Sequence, residues 1–192
     1  MDQSEGGSSV RYRAFIHCNL FFGFGLFWTA VPLVLRGRFL FSQTDIAIYA
    51  MTGIASVVAA PVAGRLADRG HSSVANIASV LLVAVGFGLA MAEIGNLSEL
   101  WMLCAGAILI GAGVTGHAVF GQRDVFGMPP AVRARLNGVF MAAYFVSGAL
   151  GSAVAGSAYA LWGWRATCAL GLTAAALAAL RSVRSSRTMP VT

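Results

Sequence analysis

The chain has 192 residues, of which 58% are hydrophobic and 10% charged, whereas soluble globular domains run at about 45 to 50% apolar and about 25% charged, so a water-facing shell cannot be built from it. The net charge of +6 comes from 13 arginines and no lysine. These arginines sit in the gaps between apolar runs and share no surface with stacking aromatics, which sets nucleic acid aside as a partner.

Residues 1–12, which begin with a polar stretch rich in Gly and Ser, are expected to form a disordered cytoplasmic lead-in. The first apolar run, 14–35, exceeds the about 7 to 15 residues of a signal-peptide core and reads as a retained span. Ser42 with Asp45 three residues later resembles a capping box, with Asp in place of Glu or Gln, and opens a second helix over 44–66. A short charged turn, 67–73, leads to a third helix, 74–92. The segment 93–99, with Glu93, Gly95 and Asn96, breaks the pattern before a fourth helix over 100–120. The longest predicted loop is 121–135. It holds Met128, Pro129 and Pro130, which suit no helix interior, and the charges Arg123, Asp124, Arg133 and Arg135. A fifth helix covers 136–161, Trp162-Gly163-Trp164 makes a tight turn, and a sixth helix over 164–180 is stopped by Arg181, Arg184 and Arg187.

A bilayer-crossing helix needs about 20 mostly apolar residues. The expected fold is therefore all-α: a polytopic membrane protein with six transmembrane helices over 13–181, a cytoplasmic tail over 182–192, and membrane lipid as its surroundings. Basic residues are retained in cytoplasmic loops. Ten arginines (11, 13, 65, 69, 123, 133, 135, 181, 184 and 187) fall on one side of this ladder and three (36, 38 and 165) on the other. Both termini are thus predicted to be cytoplasmic, in a multi-pass protein of the inner (plasma) membrane, with Arg36 and Arg38 running against the pattern.

Lipid supplies no hydrophobic drive between helices, so close packing needs small side chains. On the fifth helix Ser147 with Gly151, Gly148 with Ser152, and Ser152 with Gly156 are small pairs four apart; the fourth adds Gly106, Gly111, Gly113 and Gly116. Cys18, Cys104 and Cys168 lie within apolar runs without Cys-x-x-Cys spacing and read as small buried residues, so no metal or cofactor is expected. His17 and His117, near the inner ends of the first and fourth helices, titrate near neutral pH and read as solvated or hydrogen-bonded interfacial side chains. No nucleophile, base and orienting group occur together, so no enzymatic activity is expected.

The string Gly64-Arg65-Leu66-Ala67-Asp68-Arg69-Gly70 resembles the loop signature of the major facilitator superfamily of secondary transporters, Gly-x-Leu-x-Asp-Arg-x-Gly followed by basic residues. One spacer is missing and His71-Ser72-Ser73 replaces the basic run, which is closer to the degenerate copy in that family's second half. Gln122-Arg123, Arg135-Leu136-Asn137-Gly138-Val139, Tyr144-Phe145, the Gly148 to Gly156 stripe and Trp162-Gly163-Trp164 look like the closing helices of bacterial efflux-type members.

The resemblance implies a half or subunit of a secondary active transporter that moves a small, amphipathic solute outward by alternating access. A truncated or vestigial membrane protein without transport is the other reading. The motif residues Gly64, Asp68 and Arg69 would form a conformational switch. A carboxylate beside a helix N-terminus is stabilised by the dipole, so Asp68 can latch a neighbouring helix, Arg69 can pair with a carboxylate or a lipid phosphate, and Gly64 permits close approach. Alternatively both charges only solvate a turn. By the family's architecture the first and fourth helices line the cavity, with the second and fifth flanking it. Its candidates are Phe24, Trp28, Thr29, Tyr49, Thr115, His117 and Tyr144, each equally able to be a packing residue or an interface anchor. The implied partners are a small-molecule substrate and a second six-helix half, either a homodimer mate or a separate chain. Asp45, Glu93 and Asp124 all sit at helix ends, so an acidic proton carrier would come from that partner.

Overall fold

Backbone amides in a bilayer find no water to bond, so an apolar chain must satisfy them within itself. The computed structural model describes residues 3–69, 72–92 and 97–186, and among them it is helical almost throughout, with no strand. Helix α1 is Gln3–Arg38. It begins well before residue 14, so residues 3–12 of the stretch expected as a lead-in are helical: once nucleated, a helix gains one backbone bond for each residue added. The chain leaves α1 through Leu40 at φ 54, with the Phe41 N–H bonded to the Leu35 carbonyl at 3.1 Å.

The second apolar run is a helix in pieces: α2 Gln43–Ala50, α3 Thr52–Ala55, a 3₁₀ turn Ser56–Val58 and α4 Ala59–Asp68. Its start is the capping box expected from sequence. The Ser42 hydroxyl accepts from the Asp45 N–H at 3.2 Å, and the Asp45 carboxylate accepts from the Ser42 N–H at 2.9 Å. Its tightened turn has a cause in Pro61, which offers no N–H to the Val57 carbonyl and crowds it.

Helix α5 is Ser72–Ala90, α6 is Leu97–Phe126 and α7 is Pro130–Ser186. The predicted loop over 121–135 shrinks to residues 127–129, because α6 continues to Phe126 and Pro130 starts α7, a position where its missing N–H costs nothing. The expected tail from 182 is likewise helical as far as Ser186. Within α7, Gly163 has φ 76 and ψ −178, a conformation that favours glycine, and it separates segments 130–162 and 164–186. Pairings along α1 show that the chain reverses there. Cys18 meets Ser147, and Thr29 meets Ser152, in the same direction, whereas Phe27 meets Trp164 and Tyr12 meets Ser182 in the opposite one. Among the described residues four helices are long and apolar enough to cross a membrane, Arg11–Arg38, Gln43–Leu66, Leu97–Phe126 and Pro130–Ser182, with the shorter apolar helix Val74–Ala90 beside them.

Packing follows the small residues. A Cβ on Gly25 would lie 2.2 Å from the Gly148 carbonyl oxygen, and one on Gly151 would lie 2.1 Å from that of Phe22, so α1 and α7 touch backbone to backbone. Gly86 and Gly106 do the same for α5 and α6. Phe87 of α5 enters a slot between Gly23 of α1 and Gly171 of α7. It belongs to one continuous core with Phe27, Leu103, Ile110 and Trp164. The Trp164 indole donates to the Ala90 carbonyl at 2.6 Å, satisfying a group that the end of α5 leaves open.

Charges gather at the two ends. At one, Arg13 of α1 pairs with Asp124 of α6 and reaches Asn76 of α5 at 3.4 Å, and the Arg181 guanidinium lies 5.7 Å from the Tyr12 ring centroid. At the other, Arg38 pairs at 2.7 Å with Glu99, whose side chain is 2% exposed. That pairing gives Arg38, which runs against the arginine pattern, a structural reason to be there.

Two outcomes test this account. Gly151→Ala should destabilise the folded protein in detergent by about 1–3 kcal/mol through overpacking, whereas Gly156→Ala, with nothing within 4 Å of the added Cβ, should leave melting unchanged or raise it. Arg38→Ala should cost more than Glu99→Ala, because the first takes a cation away from a buried carboxylate and the second leaves a partly exposed cation able to turn to water. Equal melting temperatures for the two variants would contradict it.

Candidate functional site

The switch motif lies at the end of α4, and α6 supplies its partner. Arg123 donates from Nη2 to Asp68 Oδ1 at 2.5 Å and from Nη1 to the Gly64 carbonyl at 3.4 Å. One guanidinium thus ties both ends of the last turn of α4 to its neighbour. The pair is open to water, with side chains 45% and 66% exposed, so it is worth under about 1 kcal/mol. Arg69 is exposed just beyond the helix. The close approach expected at Gly64 is not made: an added Cβ there meets nothing within 4 Å. Gly70, His71 and Glu93 lie outside the described residues.

The cavity candidates divide into groups. Phe24, Trp28 and Tyr49 form a ladder of rings, with centroids 6.1 Å apart for the first pair and 6.4 Å for the second. The Tyr49 hydroxyl is committed to structure, donating to the Leu103 carbonyl of α6 at 2.9 Å. Trp28 Nε1 and Thr52 Oγ1 are buried with no hydrogen-bond partner, so a polar need persists where α1 meets the broken helix. Thr29 is engaged elsewhere, donating to Ser152 Oγ at 2.9 Å on α7. Thr115 is half-buried on α6, two residues before His117.

The second group centres on a residue that the sequence reading placed at an interface. His17 of α1 is 1% exposed and His117 of α6 is 0% exposed. Their Nδ1 atoms are 3.2 Å apart. Their planes differ by 8° and their centroids lie 5.2 Å apart. The centroids are farther apart than the nitrogens, so the near-parallel rings approach through their Nδ1 edges and not face to face, a contact that suits a shared N–H···N bond. The Tyr144 ring stands nearly perpendicular to His17 with centroids 4.7 Å apart, and Phe140 and Phe21 lie at 5.7 and 5.8 Å. His117 Nε2 is buried and has no hydrogen-bond partner. The structure therefore joins His117 and Tyr144 through His17, a buried pair and not the interfacial side chains expected. The Arg13-His17-Phe21 spacing signals one helix face, but no local pattern links His17 to a residue 100 positions away.

A separate apolar groove runs between α4, α5 and α6, lined by Val62, Leu66, Leu82 and Phe120 among others. It includes none of the candidates.

Comparison with known proteins gives this arrangement a family. The family model of the Major Facilitator Superfamily matches residues 14–190. The uncharacterized transporter YgaY of Escherichia coli O157:H7 is 31% identical over 167 residues, which make up 86% of this chain and 42% of that protein. Probable transporter SCO4007 of Streptomyces coelicolor is 32% identical over 146 residues, 74% of this chain and 33% of that protein. The chain spans less than half the length of either relative. No solved structure matches it. Apolar helices sealed by small residues, a charged motif where α4 ends and a family match over nearly the whole sequence together place this membrane chain in the Major Facilitator Superfamily.

Proposed function

We propose that the chain is one six-span half of a secondary active transporter of the inner membrane, with both termini cytoplasmic, that exports a small amphipathic solute by alternating access. The observation that carries this reading is the unequal character of the two ends. Alternating access needs contacts at the mouth of a bundle that exchange at low cost. The Asp68–Arg123 pair is water-exposed and cheap to break, while Arg38–Glu99 at the other end has its carboxylate buried. The arginine-rich end is the cytoplasmic one by the positive-inside rule.

The six spans are α1, the run 43–66, α5, α6 and the two segments of α7. A solute would lie against Phe24 and Trp28, where ring faces offer an apolar wall and the unsatisfied Trp28 N–H a polar handle. A second half, a homodimer mate or a separate chain, would complete the cavity. In support, only 17% of the apolar window of 43–66 is buried, against 56% for α6, and Val57, Val58 and Val62 stand exposed along it. The reading includes no catalytic role and no cofactor.

The test is dye export from reconstituted vesicles, driven by an imposed ion gradient. Asp68→Asn should change the rate by about two- to fivefold, the range that about 0.5–1 kcal/mol in a barrier supplies. The reversed pair, Asp68→Arg with Arg123→Asp, should recover most of it. Unchanged rates in Asp68→Asn would remove the latch, and no export by the parent chain with any partner half would leave a membrane protein without transport.

A further inference from the structure

We propose that His17 and His117 form a proton-binding site within the bundle, holding one proton between α1 and α6; its use to drive a solute rests on the transporter reading above. The described carboxylates are engaged at helix ends. Asp68 is held by Arg123, Asp124 by Arg13, Glu99 by Arg38, and Asp45 by Ser42. The two imidazoles are a titratable pair within the apolar length of the spans. They contact each other across the seam between two helices.

The proton count follows from the geometry. In the neutral pair one ring donates its Nδ1–H to the bare Nδ1 of the other, and the accepting ring carries its proton on Nε2. A proton taken from water adds to the one bare nitrogen left, Nε2 of the donor ring. The proton comes from hydronium, which gives up one O–H bond and leaves water; within the pair no bond breaks, and the bond across the gap becomes charge-assisted. A second added proton would fill both Nδ1 positions, abolish that bond and set two cations edge to edge. The seam therefore suits one added proton.

His117 Nε2, fully buried and unpartnered, is a bare lone pair when His117 is the donor. When His117 accepts, it is an unsatisfied N–H. A charge in a dry interior is costly, so loading belongs to an arrangement in which water reaches this seam.

The surroundings are consistent with a proton. On α1 the nearby groups are Arg13, already paired with Asp124 of α6, and Cys18. α7 brings the Tyr144 ring, nearly perpendicular to His17. α5, which meets α6 at Gly113 and Gly116, brings neutral Ser79 and Asn76. The charges of α4, Arg65 and Asp68, lie at its far end, with Asp68 held by Arg123. Among the described residues no third metal ligand joins the two imidazoles.

The experiment uses the full chain carrying His71→Asn, so that only these two histidines remain, labelled with ¹⁵N-histidine and placed in lipid bilayers for solid-state NMR. The expected result is a coupling across the Nδ1–H···Nδ1 bond and a gain of one proton, shared by both rings, as the pH is lowered from about 8 to about 3. His17→Asn and His117→Asn, each checked for folding by its melting temperature, should abolish the coupling. Absence of the coupling, independent titration of the two rings, or no proton gain overturns the proposal. The transporter reading fails separately: a chain that exports nothing yet shows the shared proton loses transport and keeps the site, while one that exports with no shared proton loses only the site.

Discussion

Close contact of α1 with α7, at Gly25 against Gly148 and Gly151 against Phe22, is the constraint on which the remaining packing rests. In lipid the gain from association comes from van der Waals contact and interhelical hydrogen bonds, both of which fall off steeply with separation. Bringing the backbones together places Ser147 and Ser152 within reach of the α1 carbonyls of Cys18 and Gly25. It also frames the slot that Phe87 fills between Gly23 and Gly171, so α5 is located by a space that α1 and α7 create. From α5 the contact passes to α6 through Gly86 and Gly106, and α6 in turn holds the broken helix through Ser56 against Gly111.

Polar groups are then sorted by what they can afford to lose. The ion pairs sit near helix ends, where water or headgroups can share the cost of a charge, and hydroxyls inside bond to carbonyls one turn back, as Ser79 does to Ala75 and Ser182 to Ala178. Against this background the groups left wanting stand out: Trp28 Nε1, Thr52 Oγ1 and His117 Nε2. Each lies on or against α1 or α6, the two helices that meet at the histidine pair.

Much of this was readable in the residues because it is local. The capping box at Ser42 and Asp45 needs only a three-residue spacing, the reversal at Gly163 needs only a glycine between aromatic residues, and the small stripe on α7 follows from helical period. Gly156 continues that stripe and meets nothing, since periodicity identifies a face without saying where the neighbour ends. What escaped the sequence is what the fold brings together. Arg123 and Asp124 look like loop charges, yet tertiary partners on α4 and α1 hold them along two further turns of α6. Arg38 looks misplaced until Glu99 is seen beside it. His17 and His117 each look ordinary alone, and their chemistry exists only in the pair.

The reversal at Gly163 carries a consequence for how the protein reaches its membrane. With a single non-helical residue between its legs, α7 has only a short connection, with Arg165 the one charge beside it, to be carried through hydrocarbon. Its two legs can therefore enter the bilayer together, as one hairpin that has already satisfied its own amides. Trp164 fastens that hairpin to the last turn of α5, so the hairpin is received by a surface that the helices preceding it in the chain have prepared.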